Sequence, residues 1–272
     1  FISSHKASKE MVEFIFQSYD DVVQLLTITR ADFRSQISSY AHSIEDYEYC
    51  LRPSCTFPFL LEVNGSRYLP LPHLLYRATT SSFLYRFTEN DSDMRTRIGF
   101  YVVESYLLKI LVDSNAYDEV LSEKKYIYNR TECKTPDAMI RVGDKYLFIE
   151  SKSAVPPMRI RIFDQDALDK HIKQIAEGLF QLYKQLKIFI GGQYYYFSKE
   201  KPTVINPDNI WGIVSVLEDS FIKRELIYVR FAQLAGLSLD SKEYNWVITH
   251  IKIVSLHDIE KHAFVGSNIL RE

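Results

Sequence analysis

TPDAMIRVGDKYLFIESKS, residues 135–153, holds two short apolar runs, AMIRV and KYLFI, separated by Gly143 and Asp144. Runs of aliphatic, β-branched and aromatic residues joined by a two-residue pair with Gly first predict a β-hairpin. If Gly143 and Asp144 form the turn, Val142 faces Lys145. Each step outward then takes one residue from each arm, and Asp137 falls opposite Glu150. Directly opposed side chains have Cβ atoms roughly 4.5–5.5 Å apart, and like charges there destabilise the pair. At about 5 Å and an effective dielectric of about 20, two carboxylates repel by roughly 3 kcal/mol. Alternation along a strand puts Glu150 and Lys152 on one face, and Ile149 and Ser151 on the other with Ala138, Ile140 and Leu147. Two carboxylates and an ammonium therefore share a small area. A hard divalent cation, which takes oxygen ligands and commonly one or two carboxylates plus waters and phosphate, offsets that repulsion. The plainer reading is a strand that begins at Asp137, with Glu150 and Lys152 as a solvated edge pair.

Pro136-Asp137 followed by Glu150-Ser151-Lys152 resembles the signature of the PD-(D/E)xK nuclease superfamily, the restriction-endonuclease-like fold. The string recurs in part, since the chain has a second Pro-Asp at Pro207-Asp208 and a second acid-x-Lys at Glu123 and Lys125. Its spacing on one hairpin is the more specific feature. The resemblance implies Asp137 and Glu150 as ligands of Mg²⁺, with Mn²⁺ as a substitute, and Ser151 as a ligand through its backbone carbonyl. It implies Lys152 as the residue that orients or activates water, so that Asp137, Glu150 and Lys152 form the catalytic set.

The superfamily core runs helix, three strands, helix, strand, and the flanks can be compared with that order. Residues 97–114 place Phe100, Val103, Leu107, Ile110 and Leu111 at helical spacing. Glu104 lies among them, with Phe100, Leu107, Leu108 and Leu111 as its helical neighbours, and a buried charge must be paired or bind a metal. Many members of the superfamily carry an acid on this helix that points to the metal, which implies Glu104 as a further ligand; a Glu that snorkels to the surface or pairs with Lys109 or an arginine is the alternative. YDEVLSEKKYIYNR, residues 117–130, alternates as a first strand. VPPMRIRIFDQD breaks the pattern with two prolines. Residues 164–189 then keep a 3.6-residue apolar period through Leu168, Ile172, Ile175, Leu179, Leu182 and Leu186, with Asp164 or Asp166 as N-cap. The opposite face carries Lys170, Gln174 and Gln181, with His171 and Lys173 beside them. Some subfamilies place a Gln and a Tyr four residues apart on this helix; here Gln174 is followed by Gly178. NIWGIVSVLEDS supplies a final strand with an almost continuous apolar run.

The resemblance covers about residues 97–217, within a nuclease-like domain over 97–272 that has a C-terminal extension from about residue 218. That extension reads as a helix, a strand and a short helix, and His250, His257 and His262 lack metal-ligand spacing. Residues 1–96 form a separate, mainly helical N-terminal region, with a helical period over 9–28 and a short strand pair about Asn64-Gly65. This region is a candidate surface for a partner protein or for homo-oligomers. The fold class expected is therefore α/β: a mixed sheet flanked by helices, with a helical N-terminal extension.

Of the 272 residues, 46% are hydrophobic, enough for a sizeable core, and no apolar run approaches the length of a membrane span. No secretory pattern opens the chain, and its first residue is Phe1, which is consistent with a piece of a longer protein. Cys50, Cys55 and Cys133 are odd in number and without a C-x-x-C pair, so a reducing cytosol and a cytoplasmic location are expected. A zinc cluster of Cys50, Cys55 and His42 lacks a second pair of ligands. The net charge is −2, yet residues 97–197 carry 15 Lys and Arg against 13 Asp and Glu, whereas the first 96 carry 9 against 12. A nuclease needs only local cations for phosphate contacts. Arg159, Arg161, Lys170, Lys173, Gln174 and Lys184 are the candidates, against ordinary scattered surface charge. The expected function is a metal-dependent deoxyribonuclease, an endonuclease of prokaryotic restriction or anti-phage defence, with DNA as partner. The alternatives are a non-cleaving nucleic-acid-binding or assembly module on the same fold, and a protein-interacting accessory subunit.

Overall fold

A computed structural model describes residues 27–32, 34–35, 60–68, 97, 99–154, 156, 160, 164–219 and 222–270. The chain divides into two compact units, Phe1–Phe87 and Thr88–Glu272. In the first, β1 (Thr27–Thr29) pairs parallel with β2 (Leu60–Val63), which pairs antiparallel with β3 (Ser66–Tyr68). The turn between β2 and β3 uses Asn64 and Gly65, at φ 51° and 74°, as the hairpin twist requires. Thr27 and Ile28 thus belong to a strand, which corrects the helical period expected up to residue 28; β-branched Thr-Ile-Thr favours the ladder. Residues 9–26 of that stretch, like Cys50, Cys55 and His42, lie outside the described residues.

In the second unit a π-helical turn, Gly99–Glu104, runs into α1 (Ser105–Asp113). The continuous helix expected over 97–114 is therefore wider at its start, where a Cβ on Gly99 would come within 3.2 Å of Ser153 Oγ at the end of the central hairpin. β4 (Glu119–Ser122) follows, then a separate hairpin of β5 (Lys125–Tyr128) and β6 (Thr131–Lys134). The single strand expected over 117–130 is thus two. Its reversal at Asn129 and Arg130, φ 49° and 65°, has no Gly to announce it, and an Arg with positive φ is uncommon. β7 (Ala138–Val142) and β8 (Lys145–Lys152) form the central hairpin, with Gly143 at φ +62° in its turn.

α2 (Gln165–Ile190) starts where the Asp164 carboxylate accepts from Ala167 N at 2.8 Å. β9 (Ile210–Val216), α3 (Arg224–Ala235), α4 (Lys242–His250), β10 (Ile251–Ser255) and α5 (Leu256–Phe264) complete the unit. α4 corrects the helix, strand and short helix expected for the extension by adding a second helix before the strand: Ser241 caps it through Tyr244 N, and only from Ile251 does the chain join the sheet.

The main sheet has the order β10-β9-β8-β7-β4. β8, β9 and β10 run parallel, while β7 and β4 are antiparallel to their neighbours. Alternation along the strands builds two apolar layers. Ala138, Ile140, Leu147, Ile149 and Ile213 face Val103, Leu107 and Leu111 of the first helix, with Leu256 and Ile259 of α5. Met139, Phe148 and Val214 face Ile175, Leu179, Leu182, Leu186 and Phe189 of α2, with Ile227 and Phe231 of α3. Each such fully buried Leu, Ile or Phe contributes about 1.5–3 kcal/mol relative to exposure, so helices on both faces hold the central strands firmly. The result is a mixed α/β unit with an open, five-stranded mixed sheet. Among the described residues no helix is long and apolar enough to cross a membrane.

His171 departs from the expected polar face of α2: it is 3% exposed and its Nε2 has no hydrogen-bond partner. It falls four residues before Ile175, on the side that α2 turns to the sheet. Burial pulls its pKa down to about 4. The unfolded chain binds a proton near pH 6.5 that the folded chain refuses, so stability is lost as the pH falls from about 6.5 to about 4. His171→Leu is expected to remove roughly 3 kcal/mol of that acid sensitivity, read as a difference in urea midpoint between variant and parent that grows in the variant's favour from pH 6.5 to 4. A difference that stays constant over that window would contradict a neutral buried imidazole.

Candidate metal centre at the end of the central hairpin

The hairpin has the register expected from its turn: Val142 pairs with Lys145, and the ladder runs out to Ala138 opposite Ile149. One step further, Asp137 and Glu150 stand level with each other. Pro136 has no N–H, and β7 begins only after Asp137. The free edge of β8 is taken by the Asp137 side chain, whose Oδ2 accepts from Ser151 N at 2.6 Å. The N–H and C=O of one strand residue leave toward the same neighbour. The Ser151 carbonyl therefore faces the same edge as Asp137.

Glu150 is 3% exposed, and its Oε1 accepts from Lys152 Nζ at 2.8 Å. Lys152 also donates to Gln181 Oε1 of α2 at 3.0 Å, which uses two of the three N–H donors of the ammonium. The apolar surroundings, then the Asp137 charge, push the Glu150 carboxyl up to about 7 against the pull of Lys152. Asp137 is raised as well, by burial first, with the Ser151 N–H and Lys152 opposing. Glu104, at the junction of the π turn and α1, is half-buried and pushed up to about 7, by burial and then by Asp137, Glu123 and Glu150.

Glu123 is the acid of the second acid-x-Lys string. β4 pairs with β7 so that Ser122 lies opposite Ala138, and Glu123 N donates to Asp137 O at 3.1 Å just beyond. Glu123, Asp137 and Glu150 thus form a row across three adjacent strands, and Lys134 Nζ meets Glu123 at 2.9 Å. The same register arithmetic that places Asp137 beside Glu150 finds Glu123, once β4 is known to be the other neighbour of β7. No local signal names that neighbour.

Of the other expected residues, Lys170, Lys173 and Gln174 are exposed on α2, with Lys173 Nζ 3.8 Å from Glu177. Lys184 lies over the Phe180 ring, 4.7 Å from its centre. Gln181, on the same helical face as Gln174, is the one that reaches the site. Arg159 and Arg161 lie outside the described residues. Cys133 is a free, half-buried thiol. His250 stacks on Trp246 and bonds its carbonyl, and His262 meets Ser267 Oγ, both structural contacts.

Among the described residues no three His, Cys, Asp or Glu side chains close a cation cage by themselves. The donors fit a looser site: Asp137 and Glu150 each have one oxygen engaged and one left over, at a place where burial and mutual repulsion disfavour both charges. Such donors would suit a hard divalent cation such as Mg²⁺, which keeps several waters and takes one or two carboxylates from the protein. No protein-family model, curated protein or solved structure matches the chain.

Proposed function

We propose that the chain is a Mg²⁺-dependent nuclease of the PD-(D/E)xK type that hydrolyses phosphodiester bonds in DNA, as an endonuclease of prokaryotic restriction or anti-phage defence. In this reading α1, β4, β7, β8, α2 and β9 are the restriction-endonuclease-like core. The observation that carries it is the pair of half-buried Asp137 and buried Glu150, level across one hairpin, with the Lys152 ammonium 2.8 Å from Glu150. DNA as the substrate rests on the resemblance in residues 136–152.

Asp137, Glu150 and the Ser151 carbonyl would hold the cation, with Glu104 and Glu123 adding negative charge around it. A bound divalent ion supplies charge neutralisation for the phosphate and a lowered pKa for water. Asp137 is oriented by its bond from Ser151 N, so its second oxygen has a fixed direction. Lys152, held between Glu150 and Gln181, presents its remaining N–H to a phosphate oxygen or a water. Lys170, Lys173, Arg159 and Arg161 are proposed as phosphate contacts along the polymer.

Plasmid and single-stranded DNA incubated with Mg²⁺, Mn²⁺ or EDTA test the reading beside Asp137→Ala, Glu150→Ala and Lys152→Ala. Cleavage that needs the cation and falls by on the order of 10²–10⁴-fold in each variant is the expected result. Retarded mobility without cleavage would instead indicate a binding module, and neither effect would indicate an accessory subunit.

A further inference from the structure

We infer that Gly178 and Gln181 of α2 form a seat for the Lys152 side chain and act as positioning residues; the inference rests on the nuclease reading above. A Cβ built on Gly178 would stand 2.9 Å from Lys152 Cε, closer than such atoms approach, and a tight 3.1 Å from Cγ. One helical turn on, Gln181 Oε1 accepts from Lys152 Nζ at 3.0 Å. The lysine stem therefore runs through the gap left by the glycine, and the amide and Glu150 hold its amine from two sides. Glycine in the middle of a 26-residue helix is otherwise a poor choice, because it lowers helix propensity without packing anything.

Without the gap the stem must turn, and the flexible end of Lys152 gives way more easily than backbone or sheet. The amine then leaves Glu150 and its remaining N–H no longer points to a fixed place. The other neighbour of Gly178, Val214 Cγ1 at 3.3 Å, offers a rival account in which the glycine serves helix-to-sheet packing alone. The two accounts differ in what happens once Lys152 is gone.

Gly178→Ala, Lys152→Ala, the double variant and Gln181→Leu are compared with the parent for kcat and KM on a DNA substrate with Mg²⁺, together with melting temperatures. Gly178→Ala is expected to melt at or above the parent's temperature and to lose kcat by roughly 10- to 100-fold with KM almost unchanged. The double variant is expected to be no slower than Lys152→Ala, and Gln181→Leu to lose kcat by a smaller factor without melting earlier. A parental kcat in Gly178→Ala, or a double variant slower than Lys152→Ala by the full Gly178 factor, would overturn the seat. Should the parent itself cleave nothing, the nuclease reading fails, and a crystal structure of Gly178→Ala still decides the seat. Lys152 Nζ more than about 4 Å from Glu150 supports it, and a retained ion pair overturns it.

Discussion

Glu150→Gln is expected to make the metal-free protein more stable at pH 8 while it abolishes the proposed metal-dependent cleavage. The carboxyl of Glu150 is pushed from an ordinary value near 4.5 to about 7 by burial and by Asp137. An acid whose pKa is raised by folding holds its proton more tightly in the folded state. The stability from that group is complete below about pH 4.5 and is lost as the pH rises through about 7. At pH 8 the ionised group costs about 3 kcal/mol relative to a neutral one of the same shape, a figure of order-of-magnitude quality. Glutamine keeps the volume and an oxygen for Lys152 to donate to, so the substitution removes charge more than packing. Glu104 shifts in the same direction but is more exposed, so solvent screens it and its contribution is smaller.

Urea unfolding in EDTA at pH 8 measures the effect, and the same series with Mg²⁺ measures how far a bound cation restores the parent. A ligand that binds only the folded state adds stability according to its concentration over its Kd, so Mg²⁺ should narrow the gap between parent and variant. A Glu150→Gln protein no more stable than the parent at pH 8 would show that the carboxylate is adequately compensated by Lys152 alone. In that case the site has no electrostatic need of a cation.

Phe189→Ala is expected to cost about 3–5 kcal/mol. Phe189 is fully buried near the C-terminal end of α2. Its ring meets Phe148 at 4.7 Å, Tyr146 at 5.2 Å and Tyr194 at 5.5 Å between centroids, with Tyr195 and Phe197 further out. Such pairs add about 0.5–1.5 kcal/mol beyond area burial, and a helix held to the sheet along its length cannot collapse into the space left behind. This aromatic group fixes one end of α2 on β8, and the other contacts of the helix carry that alignment back to Gly178 and Gln181. Phe189→Leu should recover most of the loss, since it refills much of the volume. Denaturant midpoints of the two variants check both statements; an alanine variant within about 1 kcal/mol of the parent would mean that the ring is not part of the rigid core.

The hairpin was legible because its information is local. Gly143 and Asp144 set the turn, the turn sets the register, and the period of two sets the faces, so the level position of Asp137 and Glu150 followed from adjacent residues alone. The long helix was legible for the same reason: its apolar period persists over seven turns and Asp164 caps it. β9 showed as an apolar run because helices cover both faces of the sheet there. Where short segments compete, local signals failed. β4 stops at Ser122 because the chain turns into a second hairpin whose Asn129-Arg130 reversal contains no glycine, and α4 shares its β-branched residues with the strand that follows it.

What the sequence determined by itself is the pair of acids with its lysine, since the turn and the alternation of a strand act over a few residues and need no partner. Only the tertiary structure decided what surrounds that pair: β4 brought Glu123 beside Asp137, the π turn brought Glu104 within range of its charge, and α2 laid Gly178 and Gln181 against Lys152 while it buried His171. Each of these depends on which faces pack together. That choice is settled by the summed burial of many distant side chains and leaves no mark in the residues near the site.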